Sequence, residues 1–184
     1  MHEVRFHGRG GQGAVTSAEL LAQAAIAEGK YAQAFPSFGP ERRGAPVIAF
    51  ARVSDDPIRL RTAIQKPTLV LVLDPSLLRL VKVDSGLEAG GTLVINSRHD
   101  PETLRREFGL TARLAVVDAN HIAREEIGRV ITNTTMLGAA MAAVSMVPTE
   151  RLVKALENRF GRIAQKNINA FRRATTECVV SEAV

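Results

Sequence analysis

At 184 residues, the chain has the length of one domain, able to bury about 70% of the surface its unfolded form would expose. Apolar residues make up 46% and charged residues 23%, which excludes a disordered chain. The net charge of +5 raises the question of a nucleic-acid partner. The basic residues are scattered, however, with arginine pairs only at Arg42-Arg43, Arg105-Arg106 and Arg172-Arg173, and aromatic residues that could stack on bases amount to 4%. No nucleic acid is expected; an anionic ligand or an acidic partner subunit accounts for the excess.

Cys178 is the only cysteine. One thiol builds no disulfide framework and holds no iron–sulfur cluster, so a reducing cytoplasm is the expected compartment. The chain opens directly into a strand-like run without a signal pattern. Its longest apolar stretch, Met136 to Val147, is too short and too rich in alanine to span a bilayer, so no membrane is expected.

In chain order, His2 to Phe6 predicts a short strand with Val4 and Phe6 on one side. A glycine turn follows at Gly8 to Gly13. Thr16 to Glu28 then predicts a helix, with a capping-box spacing in Thr16-Ser17-Ala18-Glu19 and a stop at Gly29. Tyr31 to Pro46, with three prolines and two glycines, predicts a long loop. Pro46 to Val53 resumes as a strand, and Thr68 to Leu73 reads as a strand covered on both faces. Asp74-Pro75 and Asp100-Pro101 are helix-start signals, the second following a strand at Thr92 to Ile95. Leu114 to Val117 is a further buried strand closed by Asp118. Helices are predicted over Ile122 to Glu126, Thr134 to Val147, Thr149 to Phe160 and Ile163 to about Cys178. With no linker, residues 1–184 predict one layered α/β domain: a mostly parallel sheet covered by helices, opened by a Rossmann-like strand, glycine loop and helix.

Gly8-Arg9-Gly10-Gly11-Gln12-Gly13 satisfies G-x-G-x-x-G at that opening. Glycines permit positive φ and close backbone approach to a ligand. Unpaired N–H groups at the following helix start favour a phosphate, and Arg9 would add a fixed positive charge. A dinucleotide site would also need an acid about 20 residues on, at the end of the second strand. Glu28 falls in the helix tail instead, and Phe35-Pro36 supplies none, which counts against NAD. Farther on, Arg42 and Arg43 sit between prolines and glycines in Phe35 to Pro46. A stiffened loop of this kind suits bidentate recognition of phosphate or carboxylate, with Glu41 able to orient one arginine. The alternative is a solvated surface loop.

The glycine motif followed by Ser37-Phe38-Gly39-Pro40-Glu41-Arg42-Arg43-Gly44-Ala45-Pro46 closely resembles the gamma subunits of pyruvate:ferredoxin oxidoreductases. The resemblance continues through Asn133-Thr134-Thr135-Met136-Leu137-Gly138-Ala139 and Lys166-Asn167-Ile168-Asn169-Ala170-Phe171. It departs only near the end, where Arg172-Arg173-Ala174-Thr175 replaces an expected glycine. It implies a non-self-sufficient subunit of an enzyme that converts a 2-oxoacid and coenzyme A to acyl-CoA and CO2. The resemblance also implies that thiamine diphosphate with Mg²⁺ and iron–sulfur clusters lie on partner subunits and that a ferredoxin-type protein accepts the electrons. Consistent with that division, no Gly-Asp-Gly thiamine signature and no cluster cysteines occur here.

The resemblance gives this chain the task of shaping the active-site mouth and helping to hold coenzyme A. The family's glycine turn near coenzyme A maps onto Gly10, Gly11, Gln12 and Gly13, with Asn133 as a further candidate. Gly8, Arg9, Arg42 and Arg43 complete the candidate binding set. No general acid or base is assigned: His2, His7, His99 and His121 are isolated and read as structural. Relatives acting on 2-oxoglutarate tend to carry Tyr-Gly-Pro-Glu-Ala-Arg-Gly-Gly in place of Phe38 to Ala45, so the form here looks pyruvate-like. Enzymes of aromatic 2-oxoacids such as phenylglyoxylate share it. A stand-alone NAD(P)-binding protein and a non-catalytic interaction module remain the alternatives.

Overall fold

The computed structural model describes residues 1–37 and 44–184. Arg42 and Arg43, with the neighbouring Glu41, lie outside the described residues.

One seven-stranded sheet runs through the structure in the order β2-β3-β1-β4-β5-β6-β7. Its strands are β1 (His2–Arg9), β2 (Tyr31–Pro36), β3 (Pro46–Ser54), β4 (Leu69–Val72), β5 (Thr92–Asn96), β6 (Arg113–Val117) and β7 (Val179–Ser181). The centre, β1-β4-β5-β6, is parallel, and the flanking pairs are antiparallel. The helices are α1 (Ala14–Ala27), α2 (Leu77–Leu80), α3 (Pro101–Phe108), α4 (Ala119–Glu126), α5 (Asn133–Ala143), α6 (Thr149–Phe160) and α7 (Ala164–Glu177).

The apolar runs at the centre are buried on both faces, because side chains alternate across a strand. Leu69, Leu71, Val94, Ala115 and Val117 join the larger core with α1 and α5 to α7, whereas Val70, Val72, Leu93, Ile95 and Leu114 join a smaller core under α2 and α3. The α/β architecture with a parallel centre covered by helices is therefore as expected.

Several local expectations are corrected. Tyr31 to Pro36 is the edge strand β2, not loop, and pairs with β3 through Phe35 opposite Phe50. Alternation explains it: Ala32 and Ala34 pack on the larger core. On the other face, buried Arg52 donates to Glu3 Oε1 at 2.7 Å and Thr62 O at 2.7 Å, with its guanidinium over the Phe35 ring.

Helix α1 begins two residues before the predicted capping box. Gly13 is its N-cap, at φ 83°, and there is no side-chain cap. Asp100 does cap α3 by accepting from the Thr103 N–H, and Asp118 caps α4 by accepting from His121 N–H. Asp74, in contrast, accepts from Ser76 N–H at 2.9 Å in a tight turn before the one-turn helix α2. Helix α5 stops at Ala143 because Val144 is extended, short of the predicted Val147. Strand β7 is an element the sequence did not predict: its three residues add antiparallel to β6. Arg105 holds the strand end by donating to Ser181 O at 3.3 Å.

Candidate ligand site at the glycine loop

Strand β1 persists through Gly8 and Arg9, so the turn proper is Gly10 to Gly13. It lies at the C-terminal edge of the parallel strands, where open α/β sheets bind ligands. The N–H of Gly10 donates to Ala45 O at 3.0 Å, and Arg9 Nη1 donates to Gly44 O at 2.9 Å. The described end of the proline–arginine loop is thus fastened to the glycine turn.

The turn holds its own shape. Arg9 N–H donates to Gln12 Oε1 at 2.8 Å, and Gln12 N–H donates to Arg9 O at 3.0 Å. Gln12 Nε2 also donates to Asp74 Oδ2 at 2.8 Å, tying the turn to the segment after β4. Gly11 and Gly13 adopt φ of 91° and 83°, where side chains are strained. Neither of their N–H groups has a partner among the described residues. They join the unpaired N–H groups that every α-helix start presents, and the first turn of α1 carries no acid. Together these donors favour an anion.

Arg9 does not supply the additional charge expected of it. Its Nε lies 3.2 Å from Asp74 Oδ2, and Nη2 donates to Ser76 Oγ at 2.7 Å. The pair is locally neutral, and Arg9 acts as a brace. Burial pushes the Asp74 carboxyl up, but hydrogen bonds from Ser76 and Gln12 and the Arg9 charge outweigh it, so its pKa falls below the ordinary range. Asp74 and Ser76 are the parts the sequence reading missed. Asp74 was legible only as a helix-start signal closing a buried strand, not as a partner of the glycine turn.

Asn133 stands at the start of α5 directly against Gly13: a Cβ built on Gly13 would fall 2.8 Å from Asn133 Nδ2. Asn133 is 3% exposed, and its Oδ1 has no hydrogen-bond partner among the described residues. Ser17 Oγ donates to Asn133 O at 3.3 Å, linking α1 to α5. Gly8 packs closely as well, its hypothetical Cβ 3.3 Å from that of Ala14.

His7, one residue before the motif, is 5% exposed, and its Nε2 is unpartnered among the described residues. Burial, with the Arg5 charge as a smaller contribution, pushes its pKa down to about 4. The ring is neutral at neutral pH. Cys178 is likewise no thiolate, since burial pushes it up to about 11 against a smaller lowering by Arg113. Among the described residues no cluster of three or more His, Cys, Asp or Glu could hold a metal, and no helix is long and apolar enough to cross a membrane.

A dinucleotide geometry is not formed. In that geometry β1 and the strand following α1 are neighbours; here β3 lies between β1 and β2. Glu28 pairs with Arg151 at 2.6 Å, away from the turn.

A family model described as pyruvate ferredoxin/flavodoxin oxidoreductase matches residues 3–177. The chain is 51% identical over 184 residues to the pyruvate/ketoisovalerate oxidoreductases common subunit gamma of Thermococcus litoralis, covering 99% of this chain and 100% of that one. It is 48% identical over 178 residues to pyruvate synthase subunit PorC of Methanothermobacter thermautotrophicus, covering 96% of each. The crystal structure of pyruvate oxidoreductase subunit PORC from Thermotoga maritima matches with a TM-score of 0.89 at 40% identity, over 98% of both chains. The chain belongs to the pyruvate ferredoxin/flavodoxin oxidoreductase family, as a gamma-type subunit of a multi-subunit 2-oxoacid oxidoreductase.

Proposed function

We propose that this subunit, folded as one domain over residues 1–184, holds part of coenzyme A in a 2-oxoacid:ferredoxin oxidoreductase and walls the mouth of its active site. Pyruvate is the 2-oxoacid the reading favours, supported by the pyruvate synthase names of close relatives and by the Glu41-Arg42-Arg43-Gly44-Ala45-Pro46 form. Thiamine diphosphate with Mg²⁺ and the iron–sulfur clusters reside on partner subunits, and a ferredoxin-type protein takes the electrons.

The observation that carries the coenzyme A reading is the pair of N–H groups at Gly11 and Gly13, unpartnered among the described residues, above an uncapped helix start. Coenzyme A carries a pyrophosphate and a 3′-phosphate, the chemistry such donors receive. Its thiol, when bound, supplies the nucleophile that leaves as acyl-CoA. The contribution of this chain is positional: Gly10 to Gly13 fix the phosphates, Asn133 buttresses Gly13, and Gln12 with Arg9 and Asp74 keeps the turn rigid. Fixing one end of a long ligand limits where its reactive end can travel.

Arg42 and Arg43 immediately precede the anchored Gly44. We place them as additional phosphate contacts or as assembly contacts. Replacing both with alanine in the assembled enzyme is expected to raise the apparent KM for coenzyme A or to weaken assembly. Unchanged coenzyme A dependence together with unchanged complex stability would assign them to a solvated surface.

A further inference from the structure

The parallel strands β4, β5 and β6 end beside a second concavity. A cavity of about 390 Å³ opens beyond them, walled by Arg98 and His99 after β5 and by Asn120, His121 and Arg124 from α4. The two histidines, isolated in sequence, are thus brought to one place. We propose that this cavity binds a phosphomonoester dianion. The proposal goes beyond the glycine-turn reading and stands whether or not that reading holds.

Three features support it. The first is rigidity. Asn96, 1% exposed, donates to Leu73 O at 2.8 Å and to Asn120 Oδ1 at 3.0 Å, and its Oδ1 accepts from Ala119 N–H at 3.0 Å. One side chain thereby fastens the ends of β4 and β5 to the start of α4, giving the cavity a fixed floor.

The second is charge. Among the described residues neither Arg98 nor Arg124 has a carboxylate within 4.0 Å, unlike Arg9, Arg79 or Arg173. Asp118, the one carboxylate in the wall among the described residues, faces its own helix and accepts from His121 N–H at 2.9 Å. His121 Nε2 lies 3.3 Å from Glu125 Oε2, leaving Nδ1 as its other polar atom. Two guanidinium groups and two imidazoles around one space suit a small, doubly charged, oxygen-rich group.

The third is placement. The volume is that of an ordinary small-molecule site, at the strand edge where this class of sheet binds ligands. Pro75 lines the cavity, and its neighbour Asp74 is held by Gln12 and Arg9, so the two sites share a corner. The phosphomonoester could come from the 3′-phosphate of coenzyme A or from a separate phosphorylated metabolite.

Titrating inorganic phosphate into the full chain at constant ionic strength, followed by the ring NMR signals of His99 and His121, tests the proposal. Both signals are expected to shift saturably, with affinity weakened by at least about tenfold in the R98A/R124A variant and unchanged in G11A. Both arginines are exposed, so the variant is expected to fold, which its remaining spectrum reports. No saturable shift, or equal affinity in the double variant, would overturn the proposal.

In the assembled enzyme, a KM that rises in R98A/R124A for coenzyme A but not for dephospho-coenzyme A identifies the 3′-phosphate as the source. Unchanged KM for both, with phosphate binding lost, identifies a separate phosphorylated ligand. Failure of G11A to alter coenzyme A saturation would count against the glycine-turn reading alone.

Discussion

Gly13 and Asn133 occupy one space: a Cβ at residue 13 would fall 2.8 Å from the Asn133 amide nitrogen and 3.0 Å from its Cβ. The glycine is required twice over, by its φ of 83° and by this close approach. Gly11 has a similar φ of 91° but nothing among the described residues within 4 Å of a hypothetical Cβ. Gly13→Ala is therefore expected to cost about 2–4 kcal/mol, from strain plus overpacking. Gly11→Ala costs about 1 kcal/mol from strain alone. Denaturant midpoints measure both, and Asn133→Ala should recover part of the Gly13→Ala loss. Equal losses at the two glycines would show that the Asn133 contact is unimportant.

His7 gives the fold a pH dependence on the acid side of neutrality. Its pKa is lowered from 6.5 to about 4 by burial and then by Arg5, so the unfolded chain binds the proton more readily than the folded one. The associated stability is complete above pH 6.5 and is lost as pH falls through the folded value near 4. The full effect is about 3 kcal/mol. His7→Leu removes the titration, so urea midpoints of wild type should decline relative to the variant between pH 6.5 and 4. Parallel curves would contradict the burial of a neutral imidazole.

Asp74 acts on the turn in a lower pH window. Its depressed pKa means that its contribution is present above the unfolded value and lost as pH falls through the folded one. Slow exchange of the Gly10 and Gln12 amides is expected at neutral pH and should weaken only below about pH 4. Gln12→Ala removes a donor to Asp74 and an acceptor from Arg9 N–H and is expected to cost about 1–3 kcal/mol. Amide protection unaffected by either change would show that the turn does not depend on this network.

The packing of α5 on α7 makes a further prediction. A Cβ on Gly138 would lie 2.1 Å from the carbonyl oxygen of Phe171, and Thr134 Oγ1 donates to Asn167 Oδ1 at 3.1 Å. Gly138→Ala must push apart two backbones, with an expected loss of roughly 3 kcal/mol, at the upper end of overpacking costs. A thermal midpoint within about 2 °C of wild type would contradict this account.

That helix pair illustrates how much was legible in sequence. The segments around Asn133 to Ala139 and Lys166 to Phe171 carried family resemblance, and both helices were expected from the sequence. Their mutual packing was not, because it depends on a glycine 33 residues before the carbonyl it faces. The buried strands β4, β5 and β6 were legible because central parallel strands are apolar on both faces. Edge strands are less so: β2 bears Tyr31, Gln33 and a terminal proline around its short alternation, and β7 has three residues, so each depends on pairing with its neighbour. At the site, the glycines and Gln12 were legible as a motif. The neutralisation of Arg9 was not, since Asp74 lies 65 positions away and meets it only once β1 and β4 pair.

The most direct test of the central claim is the coenzyme A saturation curve of the reconstituted oxidoreductase carrying Gly11→Ala or Gly11→Val in this subunit. Among the described residues Gly11 touches no packed neighbour, so a side chain placed there projects beside N–H groups unpartnered among those residues. The account predicts a rise of at least about tenfold in apparent KM for coenzyme A, with the KM for pyruvate and subunit assembly unchanged. Unaltered coenzyme A saturation in a fully assembled Gly11→Val enzyme would contradict it.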